Sequence, residues 1–108
     1  MKKIKVNTIL TSLITTLAAC SFVSLNPQAE NIAVSAKDNS LNNCKFLGNT
    51  NVSVWSKADT FQSRKTVESQ LDTLARNEAA TMGGNTVSPN SEINDGQRSY
   101  GVYNCPAH

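Results

Sequence analysis

Residues 43–108 leave about 66 residues to make a domain, close to the size at which a hydrophobic core alone is marginal, and a cysteine stands near each end of this stretch: Cys44 and Cys105. Pairing them would close a loop of roughly 60 residues and remove about 4 kcal/mol of unfolded-state entropy in the loop model. That is comparable to the whole stability expected of so small a domain. The alternative, two free buried thiols, belongs to a protein that never meets an oxidant. The compartment therefore decides the fold's main constraint.

The compartment is written at the other end of the chain. Lys2, Lys3 and Lys5 form a positive start, and residues 6–19 are a mainly aliphatic run diluted by Thr, Ser and one Asn. About 14 residues at 1.5 Å rise reach roughly 21 Å, short of the ~30 Å hydrocarbon core, so a permanent span is not expected. Leu17-Ala18-Ala19-Cys20 then resembles the lipobox at which bacterial lipoprotein signal peptides are cut. On this reading residues 1–19 are removed, Cys20 becomes the lipid-attachment residue, and the protein is anchored to a membrane without crossing it. An ordinary cleavable signal, with a second cleavage region near Asn26-Pro27-Gln28-Ala29, is the competing reading. With Cys20 acylated, Cys44 and Cys105 are the remaining thiols, and an oxidising periplasm lets them form a disulfide.

Removing the signal also removes three lysines, leaving seven basic and eight acidic residues, so the mature chain is near −1. No Lys/Arg cluster survives to neutralise phosphates, which argues against nucleic acid as a partner and against charge-driven binding to anionic lipid. Residues 20–42 read as a lipidated N-terminus and flexible tether, rich in Asn, Ser and Ala without a sustained period. As a coil, about 22 residues span on the order of 25 Å. A short strand or docked segment at Ile32-Ala33-Val34 is the alternative. Ser21, where Asp favours inner-membrane retention in Gram-negative lipoproteins, points to the outer membrane.

The domain at residues 43–108 reads as β-α-β-β. A first strand runs from Cys44 to about Trp55, with Phe46, Val52 and Val54 on one parity and Leu47 and Trp55 on the other. The helix is marked by Val67, Leu71, Leu74, Ala75 and Met82 at helical spacing, with Ala79 at the edge of the stripe. Ser63 or Thr66 can cap its start, and Gly83 can end it in the left-handed conformation. A second strand covers Asn85 to about Ser88 and a third runs from Arg98 to Cys105, separated by the turn chemistry of Asn94-Asp95-Gly96. The expected fold class is α+β: a small single domain with a three-stranded sheet in the order 1-3-2 and one helix packed on one face. That order brings the start of the first strand beside the end of the third, where Cys44 and Cys105 stand.

Asn43-Cys44-Lys45-Phe46-Leu47-Gly48, Leu74-Ala75-Arg76-Asn77-Glu78-Ala79-Ala80, Gly83-Gly84-Asn85-Thr86-Val87 and Gly101-Val102-Tyr103-Asn104-Cys105 together resemble a family of small bacterial envelope lipoproteins whose domain has no assigned function. The plan is more distantly similar to the lipoprotein sensor of the Rcs envelope-stress cascade, which has four domain cysteines where this chain has two. The resemblance implies a fold and an envelope location.

No catalytic constellation is readable, and an enzyme is not expected. His108, the single histidine, has no acid placed to orient it. Cys105-Pro106-Ala107-His108 has ligand-like spacing, but pairing Cys105 with Cys44 would consume the thiols, so no metal site is expected. Met82-Gly83-Gly84-Asn85 follows a helix, whereas a phosphate loop precedes one. Asp59, Asp72, Glu68 and Glu78 read as solvated carboxylates. No cofactor and no small-molecule substrate are indicated. One helix covers only one sheet face, so the other is solvated, covered by the tether or offered to a partner, with Leu47, Trp55 and Tyr103 as the candidate partner-binding face. The expected role is a non-enzymatic binding or sensing module held by an outer-membrane lipid in the periplasm, with another envelope protein as partner. A structural or self-associating surface lipoprotein without a signalling partner is the second reading.

Overall fold

The helical stripe sets the architecture. Helix α1, Arg64–Met82, buries Val67, Leu71, Ala75 and Ala79 along one face. It starts where the Ser63 hydroxyl accepts the Thr66 amide proton at 3.1 Å, satisfying a donor that the first turn would otherwise leave unpaired. It stops at Gly83, whose φ of 80° is the left-handed conformation that glycine adopts without a Cβ clash. The computed structural model describes residues 23–37, 39–55 and 61–106.

Besides α1 the fold contains strands β1 (Ala33–Val34), β2 (Lys45–Ser53), β3 (Thr86–Pro89) and β4 (Gln97–Asn104), with short 3-10 turns at Pro27–Ala29 and Asn39–Leu41. The class is α+β, with one α-helix among the described residues. The expectation of a three-stranded sheet in the order 1-3-2 is overturned: the sheet has four strands in the order β1-β3-β4-β2. The added strand comes from the stretch expected to be a tether. Ala33 donates its amide proton to Asn85 O and Ser35 to Val87 O, so β1 runs parallel to the outer edge of β3. A two-residue strand has no room for the alternation that marks strands in sequence, which is why the segment reads as coil.

β4 lies between β3 and β2 and is antiparallel to both, with Val87 opposite Val102 and Thr50 opposite Tyr100. The core forms where α1 covers this sheet. Val67, Leu71, Val87, Tyr100 and Val102 are fully buried, and Ala29 and Ile32 join the same cluster from the N-terminal segment. Each fully buried aliphatic side chain contributes roughly 1.5–3 kcal/mol. Gly84 lets the strand after the helix approach this core: a Cβ there would stand 2.6 Å from Val102 Cγ1 and 3.0 Å from Tyr103 O.

The bulge in β2 falls between Phe46 and Gly48. One extra residue reverses the facing of everything before it. Phe46 therefore does not share a face with Val52 as simple alternation expects: Val52 is buried, whereas Phe46 is 52% exposed. Leu47, the extra residue, packs against the core.

Candidate functional site

The two cysteines of the domain are joined. Cys44 and Cys105 form a disulfide across the open end of the β2–β4 ladder, closing 61 residues of chain. Asn85 holds the same end from the other side of β4. Its Nδ2 donates to Cys105 O and its Oδ1 accepts the Cys105 amide proton, both at 2.8 Å. The side-chain amide thus mimics another residue of strand, and its own backbone carbonyl takes the Ala33 proton. Beside this junction lies an open cavity of about 450 Å³, lined by Ala33, Ser35, Leu41, Thr86 and both half-cystines among others. With both sulfurs in the disulfide, neither is a thiolate that could ligate a metal. Among the described residues no three His, Cys, Asp or Glu side chains gather as a metal set.

Two polar side chains of α1 clasp the N-terminal segment. Arg76 donates from Nε to Ile32 O at 2.8 Å and from Nη2 to Ala29 O and Glu30 O at 3.2 and 3.1 Å. Asn77 donates from Nδ2 to Ser24 O at 3.0 Å and accepts the Asn26 amide proton on Oδ1 at 2.8 Å. A guanidinium fork has donors enough to gather several carbonyls at once, which lysine could not do in this geometry. Residues 24–35 are thereby strapped along the helix and the β3 edge, with Ala29 and Ile32 as the buried studs.

A third cluster fastens β4 to α1. Tyr100, fully buried, donates its hydroxyl proton to Asp72 Oδ1 at 2.5 Å. Burial raises the Asp72 pKa above the ordinary carboxylate value, and the Glu68 charge pushes the same way; the Tyr100 hydrogen bond and the Arg98 and Arg76 charges oppose it. Burial likewise raises the Tyr100 phenol, reinforced by its bond to Asp72 and by the Asp72 charge. Arg98 completes the cluster, donating to Ser91 O at 2.9 Å, pairing with Glu68 at 3.4 Å and lying over the Tyr100 ring. Because Tyr100 is sealed from solvent, its hydroxyl serves as a fastening and meets no outside molecule.

The three residues expected to form one partner-binding face do not come together. Leu47 packs on the core, on the helix side. Tyr103 is on the opposite face, its ring over Gly101 and edge-on to Phe46 at 5.4 Å between centroids. Trp55 lies beyond the end of β2, where its ring stacks on Phe61 at 5.3 Å and an interplanar angle of 9°. The bulge is the physical reason for the first separation and the end of the strand for the second. What the surface offers instead is two aromatic pairs, Trp55 with Phe61 and Phe46 with Tyr103. Trp55 and Phe61 are 61% and 69% exposed. Phe61 carries no periodic signal, and Arg76, Asn77 and Asn85 fall off the apolar stripe, although all three occur in the segments that carry the lipoprotein resemblance. Cys20 and His108 lie outside the described residues. No described helix is long and apolar enough to cross a membrane.

A family model described as a domain of unknown function, DUF4156, matches residues 23–105. No curated protein and no solved structure matches the chain.

Proposed function

The chain belongs to the DUF4156 family, a domain of unknown function; on the residues of the chain itself we propose that it is a lipoprotein of the bacterial envelope, anchored through Cys20 to the outer membrane, whose periplasmic domain is a non-enzymatic binding or sensing module. The observation that carries the binding role is the stacked Trp55–Phe61 pair, two large rings left mostly in water on a very small domain. Exposed aromatic surface of this kind is costly to keep and is typical of contact sites. The Cys44–Cys105 disulfide agrees with export to an oxidising compartment, and the Leu17-Ala18-Ala19-Cys20 motif with lipidation. The partner is another envelope protein. The likeness to the Rcs stress sensor belongs to this proposal too and suggests sensing as the form the binding takes.

A second reading, a self-associating surface lipoprotein, draws on β2. It is an edge strand with no charged residue from Phe46 to Ser53, so its own copy could pair with it without like-charge repulsion. A photocrosslinking residue in place of Phe61, used in native membranes, separates the readings. One defined heterologous adduct that Trp55→Ala abolishes supports the first; homotypic adducts alone support the second and remove the first.

A further inference from the structure

The clasp on the N-terminal segment fixes where the domain stands relative to the membrane. The first tied atom is Ser24 O, held by Asn77, and from there to Ser35 the segment is bound to α1 by Arg76 and Asn77 and to β3 by two main-chain hydrogen bonds. Ala29 and Ile32 are buried in the core. Cys20 is four residues before Ser24, and four residues cannot span more than about 14 Å. A free 22-residue tether would instead give an excursion of about 25 Å root-mean-square, with far longer reaches. The family match begins at residue 23, at the head of the strap, so the strap belongs to the family's domain and is not a variable leader to it.

Resting on the lipid-anchor reading above, we infer that the strap seats the domain directly on the lipid surface, with Arg76 and Asn77 as the positioning residues that set the leash. The occupant of this surface is the bilayer that holds the Cys20 acyl chains. The depression around the tied end is lined by Asn26, Gln28, Asn77, Ala80 and Thr81, none of them charged. Seating is therefore set by the leash and not by basic residues, which accords with a mature chain lacking a Lys/Arg cluster. Release of the strap would lengthen the leash from 4 residues to more than 20, turning a surface-bound domain into one that reaches well into the compartment.

The test uses the full lipidated protein in vesicles of phosphatidylethanolamine and phosphatidylglycerol carrying a dansyl head-group lipid, with Trp55, the single tryptophan, as energy donor. The inference expects transfer in the native protein to exceed that of the two altered proteins below. A flexible 20-residue Gly/Ser insert between residues 22 and 23, which leaves every clasp contact intact, lowers transfer at least twofold, and Arg76→Met with Asn77→Ala lowers it without an insert. Protein that co-floats with vesicles but transfers equally with and without the insert overturns the inference and leaves the anchor reading standing. Protein that does not co-float overturns both.

Discussion

Replacing Arg76 with methionine should loosen the strap while leaving the sheet in place. Methionine keeps an apolar stem of similar length, so the packing along α1 is largely preserved and the loss falls on the guanidinium. Three carbonyls then lose their donor: Ile32 O and Ala29 O in partly buried positions, and Glu30 O in an exposed one where water substitutes. Hydrogen bonds to a charged donor are worth about 1.5–3 kcal/mol each, but Ala29 and Glu30 share a single Nη2 and the three do not add. The total comes to roughly 2–4 kcal/mol, which is about 30-fold to 1,000-fold in the equilibrium for opening the strap. Native-state amide exchange reads this directly. The Ala33 and Ser35 amides, bonded to Asn85 O and Val87 O, should exchange faster by that factor. Amides of the β2–β4 ladder, such as those near the Thr50–Tyr100 pair, should change far less because the opening is local. Unchanged exchange at Ala33 and Ser35 would show that burial of Ala29 and Ile32 holds the strap without the guanidinium. An equal rise everywhere would show that the strap and the sheet open as one unit; either result rules out a local opening governed by Arg76.

Converting both Cys44 and Cys105 to serine should cost about 4 kcal/mol by the loop model for 61 residues of separation, enough to leave so small a domain largely unfolded at 37 °C; near-ultraviolet circular dichroism and denaturant titration check it, and a midpoint unmoved by reduction would contradict it. Gly84→Ala should cost about 1–3 kcal/mol, because the new methyl meets Val102 Cγ1 and the Tyr103 carbonyl; a melting temperature within 2 °C of wild type, below roughly 0.5 kcal/mol, would mean that the backbone yields there freely. The folded Asp72 pKa is raised, so the native state holds a proton that the unfolded chain has released, and the contribution is full below about pH 3.8 and lost as pH rises through the folded value. Asp72→Asn removes this dependence, so the stability of the variant minus that of wild type should rise with pH from about 4 upward and then level; a flat or falling difference would contradict the assignment.

The elements that were legible are those with internal periodicity or fixed chemistry. Helix α1 shows its buried face at Val67, Leu71, Ala75 and Ala79 in the sequence itself, and Ser63 and Gly83 mark its ends because caps are local chemistry. The disulfide was readable because, once Cys20 is read as acylated, two thiols remain at the ends of a domain whose size calls for a constraint. The strap was readable only as the alternative at Ile32-Ala33-Val34, where a short strand does form. Its attachment consists of main-chain carbonyls, which every residue carries, and of two buried residues, Ala29 and Ile32, too few to make a period. The partner face failed for a different reason. A bulge leaves no mark in composition, yet it moves Phe46 away from the face of Val52 and sends Leu47 into the core, so alternation counted across it assigns the wrong sides. Trp55 reads as a candidate from the sequence, but its stacking partner Phe61 stands six residues further on and carries no periodic signal.

On the proposal above, a lipid at Cys20 leads almost at once into a disulfide-closed domain. Intact mass of the protein extracted from native membranes, taken with and without alkylation under non-reducing denaturing conditions, addresses both halves together. The expected product is a chain beginning at Cys20, heavier than its residues by covalent acyl groups, with no alkylatable thiol before reduction and two after. An unacylated chain, one beginning elsewhere, or one whose Cys44 and Cys105 alkylate without reduction would contradict it.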